Sequence, residues 1–198
     1  MDEAHAASRP DVLPVLVGER VTLRPGTPDD VDTLHGILSQ PSVAQWWGEP
    51  APREEIVANL LGEGDAFLLV IEVDRAVAGG IQYTEESDPM YRHAGIDIYL
   101  SGRHQGRGLG TEAVALLVRF LIDQRGHHRL IIDPAAANQR AIRCYQSVGF
   151  RPVGIMRQYE RGPDGVYHDG LLMDLLASDL ERGPENGERC GIAAAPLG

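Results

Sequence analysis

Only two cysteines occur in the 198 residues, Cys144 inside a helical pattern and Cys190 in a Gly- and Glu-rich tail. Two thiols are too few for a disulfide framework or a four-ligand zinc site. Long apolar runs are missing as well. None approaches the roughly 18 residues that a membrane span requires, and the opening MDEAHAASRPD is acidic and polar where a secretory signal is basic and then apolar. The expectation is a cytoplasmic protein with no membrane partner. Basic residues are scarce, 18 against 29 acids for a net charge of -11. That balance weighs against nucleic acid and favours a cationic small molecule, although plain solubility explains it equally well. The seven histidines, including the adjacent His127 and His128, show no i, i+4 pairing around an acid, so no metal is expected.

With 43% apolar residues the chain can build one substantial core. Residues 1–17 and 182–198 carry Gly, Pro, Ala and charge without periodicity and are expected to be flexible segments outside a domain spanning 18–181. Within it, RVTLRPG reads as a strand, and TPDDVDTLHGIL as a helix capped at Thr27 with Leu34, Ile37 and Leu38 on its buried stripe. SVAQWWGEP reads as a loop or short helix, and PREEIVANLLG as a second helix. AFLLVIEV and AVAGGIQYTEE form a hairpin around DRA, and HAGIDIYLS is a further strand. GTEAVALLVRFLIDQRG has the spacing of a long amphipathic helix, HRLIID of a strand, and ANQRAIRCYQSVGF of a helix closed by Gly149. FRPVGIMRQYE and YHDGLLMDLL make a last pair of strands. The pattern is α/β, a mixed central sheet flanked by helices.

The stretch RHQGRGLGTEA, residues 103–113, lies where a strand gives way to a helix. Unpaired N–H groups and the positive end of the helix dipole converge there, and Gly106, Gly108 and Gly110 remove the side chains that would keep an anion from the backbone. A Walker phosphate loop needs a lysine before its Ser or Thr, and here Thr111 follows Gly110 directly. The dinucleotide fingerprint fails on spacing, G-x-G-x-G.

Read from Gln105 as Q-x-x-G-x-G, between a strand and an amphipathic helix, the loop resembles the coenzyme A pyrophosphate loop of the GNAT superfamily of N-acyltransferases. DPAAANQRAIRCYQSVGF resembles the next part of that core, an Asn before a helix that contains a Tyr and ends in Gly-Phe. WWG, GID, GRGLGT and DP…N.RAIRCY…GF, in that order, are similar to aminoglycoside 6'-N-acetyltransferases, over about residues 18–180. The resemblance implies acetyl-CoA as co-substrate and acetyl transfer to an amine in a ternary complex. It places the pyrophosphate on Gly106, Arg107, Gly108, Leu109, Gly110 and Thr111, with Gln105 beside them. It places the pantetheine arm along Ile98, Tyr99 and Leu100 and on Asn138, which alternatively only caps its helix. Arg103, His104 and Arg107 are local cations that would offset repulsion of the anionic coenzyme.

Such a transfer needs a neutral amine, a stabilised oxyanion and a proton for the departing thiolate. The resemblance assigns the last task to Tyr145, and to Asp97, in GID, the role of base or ammonium anchor. An ordinary aspartate near 3.9 facing an alkylamine near 10.4 is roughly 9 kcal/mol too acidic for full proton transfer, so burial must raise Asp97 or a water must carry the proton. For a polycationic acceptor the candidate ligands are Trp47, Asp97, Asp133, Glu85 and its neighbours Glu86 and Asp88, and Glu160, Asp164 and Asp169 on the opposite wall, with Trp46 expected in the core. The leading acceptor is an aminoglycoside 6'-amine, as in antibiotic resistance. A polyamine, a siderophore-type amine or a protein N-terminus remains open, as does an acyl-CoA-binding sensor without turnover. The protein is expected to be a monomer or a homodimer.

Overall fold

The computed structural model describes residues 13–181. Its eight strands are β1 (Leu16–Val17), β2 (Thr22–Pro25), β3 (Phe67–Val73), β4 (Ala76–Glu86), β5 (His93–Leu100), β6 (Arg129–Ile132), β7 (Arg151–Arg161) and β8 (Tyr167–Leu176). The helices are α1 (Val31–Leu38), α2 (Pro41–Trp47), α3 (Arg53–Leu60), α4 (Leu109–Arg119), α5 (Gln139–Val148) and α6 (Ala177–Glu181).

The strands form one mixed sheet in the order β1-β2-β3-β4-β5-β6-β8-β7. The near-continuous apolar run of β3 follows from burial on both faces. Phe67, Leu69, Ile71 and Val73 enter the larger core with α4 and α5, while Leu68 and Val70 enter a second core with α1, α2 and α3. The stripe Leu109, Ala113, Val114, Leu117 and Val118 of α4 covers the first face. Val31, Leu34, Ile37 and Leu38 of α1 cover the second. The turn between β3 and β4 puts Asp74 and Arg75 at φ 51° and 62°, the doubly left-handed turn that suits the twist of a two-residue hairpin.

Every pairing is antiparallel except β5 with β6, which are joined through α4 as a parallel pair requires. That pair holds only at Ala94↔Leu130 and Gly95↔Ile131. Beyond Gly95 the strands part, and β5 runs on to Leu100 with no strand paired along its β6-facing edge. The gap positions the functional site.

Two expectations need correction. The packed chain does not start at residue 18: β1 pairs with β2, and Leu13 is buried in the larger core. The expected flexibility of residues 1–12 and 182–198 falls outside the described residues. The long helix after the glycine loop is regular only to Arg119; Phe120–Gln124 follow as a wider π-type turn that keeps Phe120 and Leu121 buried. Of the two readings open for the tryptophan segment, a loop or a short helix, the structure takes the helix, with Pro41 in its first turn.

Candidate active site

A cavity of about 580 Å³ opens where β5 and β6 separate, walled by the glycine loop, α5 and the end of α2. Gly106 and Gly108 adopt φ 73° and 79°, a left-handed backbone that L side chains rarely take, and a Cβ on Gly106 would meet nothing within 4 Å. Gly110 differs. It lies in the first turn of α4, where an added Cβ would meet Leu100 Cδ1 at 3.4 Å and Cys144 Sγ at 3.9 Å. The first intrahelical bond runs from the Glu112 N–H to the Gly108 C=O, so the N–H groups of the preceding residues lack helical partners and the helix dipole adds positive potential. Gln105, Gly106, Gly108, Gly110 and Thr111 line the cavity. Open space over Gly106, with Gly108 also left-handed at a helix N-terminus and a strand edge beside them, fits a pyrophosphate and an extended pantetheine arm.

The Gln105 side chain is already engaged. Its Nε2 donates to the Leu100 C=O at 2.7 Å, and its Oε1 accepts from Arg140 Nη2. This ties the loop both to the end of β5 and to α5. Ile98, Tyr99 and Leu100 line the cavity along the free edge of β5. Asn138 caps α5, its Oδ1 accepting the Ala141 N–H at 3.2 Å, and it also borders the cavity.

Asp97, Asp133 and Glu160 all line the cavity, within reach of one another's charge. Burial lifts the Asp97 carboxyl to about 6, and Asp133 and Glu160 add to the rise against an opposing hydrogen bond from Gln82, its cross-strand partner. Glu160 is raised by burial and by Asp133. The Tyr159 hydroxyl donates to Asp133 and is lifted to about 12 in consequence. Tyr145 lines the same cavity, packs edge-on against Phe150 at 6.3 Å between ring centroids, and is held protonated chiefly by burial, with smaller contributions from Cys144, Asp97 and Asp133. Trp47 meets Tyr99 edge-on at 5.0 Å and lines the wall.

Several expected residues lie elsewhere. Glu85 is not in the site. The register sets Glu85 opposite Ala94 and Gln82 opposite Asp97, so strand alternation sends Glu85 to the other sheet face and three residues away along β5. There its carboxylate takes Arg125 Nη2 at 2.8 Å and His127 Nε2 at 2.7 Å. Glu86 and Asp88 bond within their own loop, the Glu86 carboxylate accepting the Asp88 N–H and the Asp88 carboxylate the Met90 N–H. Asp164 pairs with His168 in the β7–β8 hairpin. Asp169 does not line the cavity; its carboxylate accepts the Gln158 N–H at 2.8 Å. His104 is buried against Ser101 Oγ at 2.7 Å, and burial together with Arg103 and Arg107 lowers its pKa, so it is no surface cation. Arg107 and Leu109 do not line the cavity: Leu109 belongs to the core, and the Arg107 C=O accepts from Arg20. Trp46, expected in the core, is half-buried on the cavity wall.

The reading of the sequence passed over Arg140, Arg143 and Cys144, which also line the cavity. Their spacing with Ala141, Tyr145 and Ser147 along one side of α5 carried the signal. Thr111 Oγ1 meets Cys144 Sγ at 3.3 Å, so α4 and α5 touch directly behind the loop.

Residues 20–151 match the model of the acetyltransferase (GNAT) domain. The chain belongs to the GNAT acetyltransferase family. It is 30% identical over 166 residues to an aminoglycoside N(6')-acetyltransferase type 1 of Klebsiella pneumoniae, covering 74% of this chain and 80% of that protein. It is 26% identical over 159 residues to a spermidine N(1)-acetyltransferase of Escherichia coli K12, covering 77% and 84% respectively. AAC(6')-Ib solved with paromomycin and acetyl-CoA superposes with a TM-score of 0.70 at 26% identity, covering 85% of this chain and all of that one. As a GNAT acetyltransferase the protein uses acetyl-CoA as its co-substrate. No helix among the described residues is long and apolar enough to cross a membrane.

Proposed function

We propose that this GNAT acetyltransferase acetylates a primary amine of a polycationic small molecule, with the 6'-amine of an aminoglycoside as the foremost acceptor. The observation that carries the reading is that Asp97, Asp133 and Glu160 line one cavity and lie close enough to repel one another. Three mutually repelling carboxylates are costly without a cation, and an ammonium-bearing ligand relieves all three at once. The similarity to aminoglycoside N(6')-acetyltransferases supports the same acceptor class. A polyamine is the second reading, favoured by the spermidine N(1)-acetyltransferase relative.

Acetyl-CoA supplies the activated acetyl group, and the chain's own residues do the rest. The amides of Gly106, Gly108, Gly110 and Thr111 hold the pyrophosphate, with Arg140 and Arg143 on the flank. The free edge of β5 from Ile98 to Leu100, with Asn138, aligns the pantetheine arm and directs an N–H at the developing oxyanion. Asp97, lifted to about 6, is still about 4.4 units below an alkylamine, or about 6 kcal/mol uphill for complete transfer against about 9 for an ordinary aspartate. Burial therefore removes about a third of the penalty. Asp97 serves as ammonium anchor and takes the proton through water. Tyr145, a phenol raised well above the free thiol near 8.5, acts as a hydrogen-bond donor to the departing sulfur more readily than as a full proton donor. Trp47 supplies an apolar face for the acceptor's ring.

The deciding experiment incubates the protein and acetyl-CoA with matched 6'-amino and 6'-hydroxy aminoglycosides and with spermidine, reading release of free thiol. Turnover confined to the 6'-amines supports the leading reading. Turnover on spermidine alone establishes the second, and thiol release with none of them defeats both.

A further inference from the structure

Asp169 does not line the cavity, yet it sits at the junction between two of the segments that carry the cavity's acids. Its Oδ1 accepts the N–H of Gln158 on β7, and its C=O accepts the N–H of Ala136, three residues past Asp133. Two residues on, the Leu171 N–H donates to the Pro134 C=O. One stretch of β8 thus anchors the Asp133 loop by its backbone and β7 by a side chain.

What the side chain holds is a bulge. Met156 pairs with Gly170 and Glu160 with His168, so three residues of β7 span what one residue, Asp169, spans on β8. The two extra residues draw Glu160 back by about 7 Å at strand rise, toward Asp133 and away from the hairpin turn, without changing the face it occupies. Gln158, in the middle, sits at φ 50°, a conformation that non-glycine residues seldom adopt without an external hold. Gly170 completes the arrangement: a Cβ there would lie 3.0 Å from Tyr159 Cδ1, so the ring that donates to Asp133 rests over a bare α-carbon.

We propose that Asp169 is a positioning residue for the acceptor site: by capturing the Gln158 N–H it locks the β7 bulge that brings Glu160 to the cavity and Tyr159 to Asp133. The inference rests on the reading that Asp133 and Glu160 meet the cationic acceptor. It assigns to Asp169 an accepting oxygen, not a charge, as the working feature. A direct ligand of an ammonium group would depend on the charge.

The test compares steady-state kinetics of Asp169→Ala, Asp169→Asn and the double variant Asp169→Ala/Gln158→Gly on whichever acceptor the wild-type protein turns over. Losing a hydrogen bond to a charged acceptor group predicts an acceptor KM about tenfold higher in Asp169→Ala, with the acetyl-CoA KM unchanged. Asp169→Asn keeps an oxygen for the N–H and stays within about threefold of wild type. Gln158→Gly, which relaxes the left-handed residue, recovers most of the loss in the double variant. Equal damage from Asn and Ala overturns the proposal in favour of direct charge contact. An Asp169→Ala protein with a lower melting temperature but an unchanged acceptor KM reduces the bond to a structural one and also overturns it. Asp133→Asn and Glu160→Gln are run beside these; if neither moves the acceptor KM, the acceptor-site reading itself fails, whatever Asp169 does.

Discussion

Asp97 on β5 and Asp133 just past the end of β6 stand at equivalent positions, each two residues beyond the last parallel pair, Gly95 and Ile131. Parallel register sends both toward the same face, and the parting of the strands leaves a cavity between them, with each carboxylate in reach of the other's charge. The acidity of the site is therefore built into the register of one short strand pair. Replacing Asp133 with Asn removes a like charge and lowers the Asp97 pKa, so the acid limb of kcat/KM moves to lower pH. A limb that stays in place would uncouple the two residues.

The pH profile identifies the group. In the proposed mechanism Asp97 works as a carboxylate, so kcat/KM is expected to fall as pH drops below about 6. Asp97→Asn loses about 100-fold or more in turnover and the limb with it. Gln82→Leu removes a hydrogen bond that favours the ionised form, so its limb shifts above that of wild type. A limb that survives in Asp97→Asn assigns the titration elsewhere.

Tyr145→Phe lowers kcat by roughly 10- to 100-fold while the affinity for coenzyme A, measured by calorimetry, stays near that of wild type. Because burial keeps the phenol protonated, no alkaline limb disappears in the variant. A weakened coenzyme affinity would make Tyr145 a binding group instead.

The three loop glycines have unequal roles. Gly108→Ala places a side chain at φ 79° and within 3.3 Å of Arg20 Nη2, and the left-handed backbone alone costs about 1–2 kcal/mol. The acetyl-CoA KM rises by about tenfold, in proportion to that cost. Gly110→Ala, whose Cβ meets only ordinary contacts, changes it little. Equal effects at the two positions would contradict the loop conformation.

Glu85 affects stability, not the acceptor. Burial pushes its carboxyl up, but His127 and Arg125 outweigh that and hold it at about 2. Its contribution is present above its ordinary value of 4.5 and is lost as pH falls from there toward about 2. Glu85→Gln destabilises the protein by roughly 2–4 kcal/mol in denaturant unfolding at neutral pH, flattens this acid dependence, and leaves the acceptor KM in place. A raised acceptor KM without a stability loss would return Glu85 to the acceptor site.

Periodicity carried much of the fold. The stripe of α4, the doubly buried run of β3 and the hairpin turn at Asp74–Arg75 are local patterns, each fixed by residues within one or two turns of chain. That Gly106, Gly108, Asp97 and Tyr145 would share one site was expected from short motifs and their family resemblance, and all four line the cavity. The bulge at Gln158 left no such signature, since Gln is an unexpected residue at φ 50° and its partner lies eleven residues on. The wider turn at Phe120–Gln124 was invisible for a related reason: its apolar residues keep helical spacing, and only the hydrogen-bond pattern changes.

By itself, the sequence determined the order of elements, the phosphate-type loop and the surplus of acids. Only the tertiary structure decided which acids act together. Glu85 and Asp97 look alike in the chain, both strand acids among apolar neighbours. Cross-strand register puts one against Arg125 and His127 and the other beside Asp133 and Glu160. A side chain's face is set by strand parity and its partners by pairing across the sheet, and the partners of both lie tens of residues away in sequence.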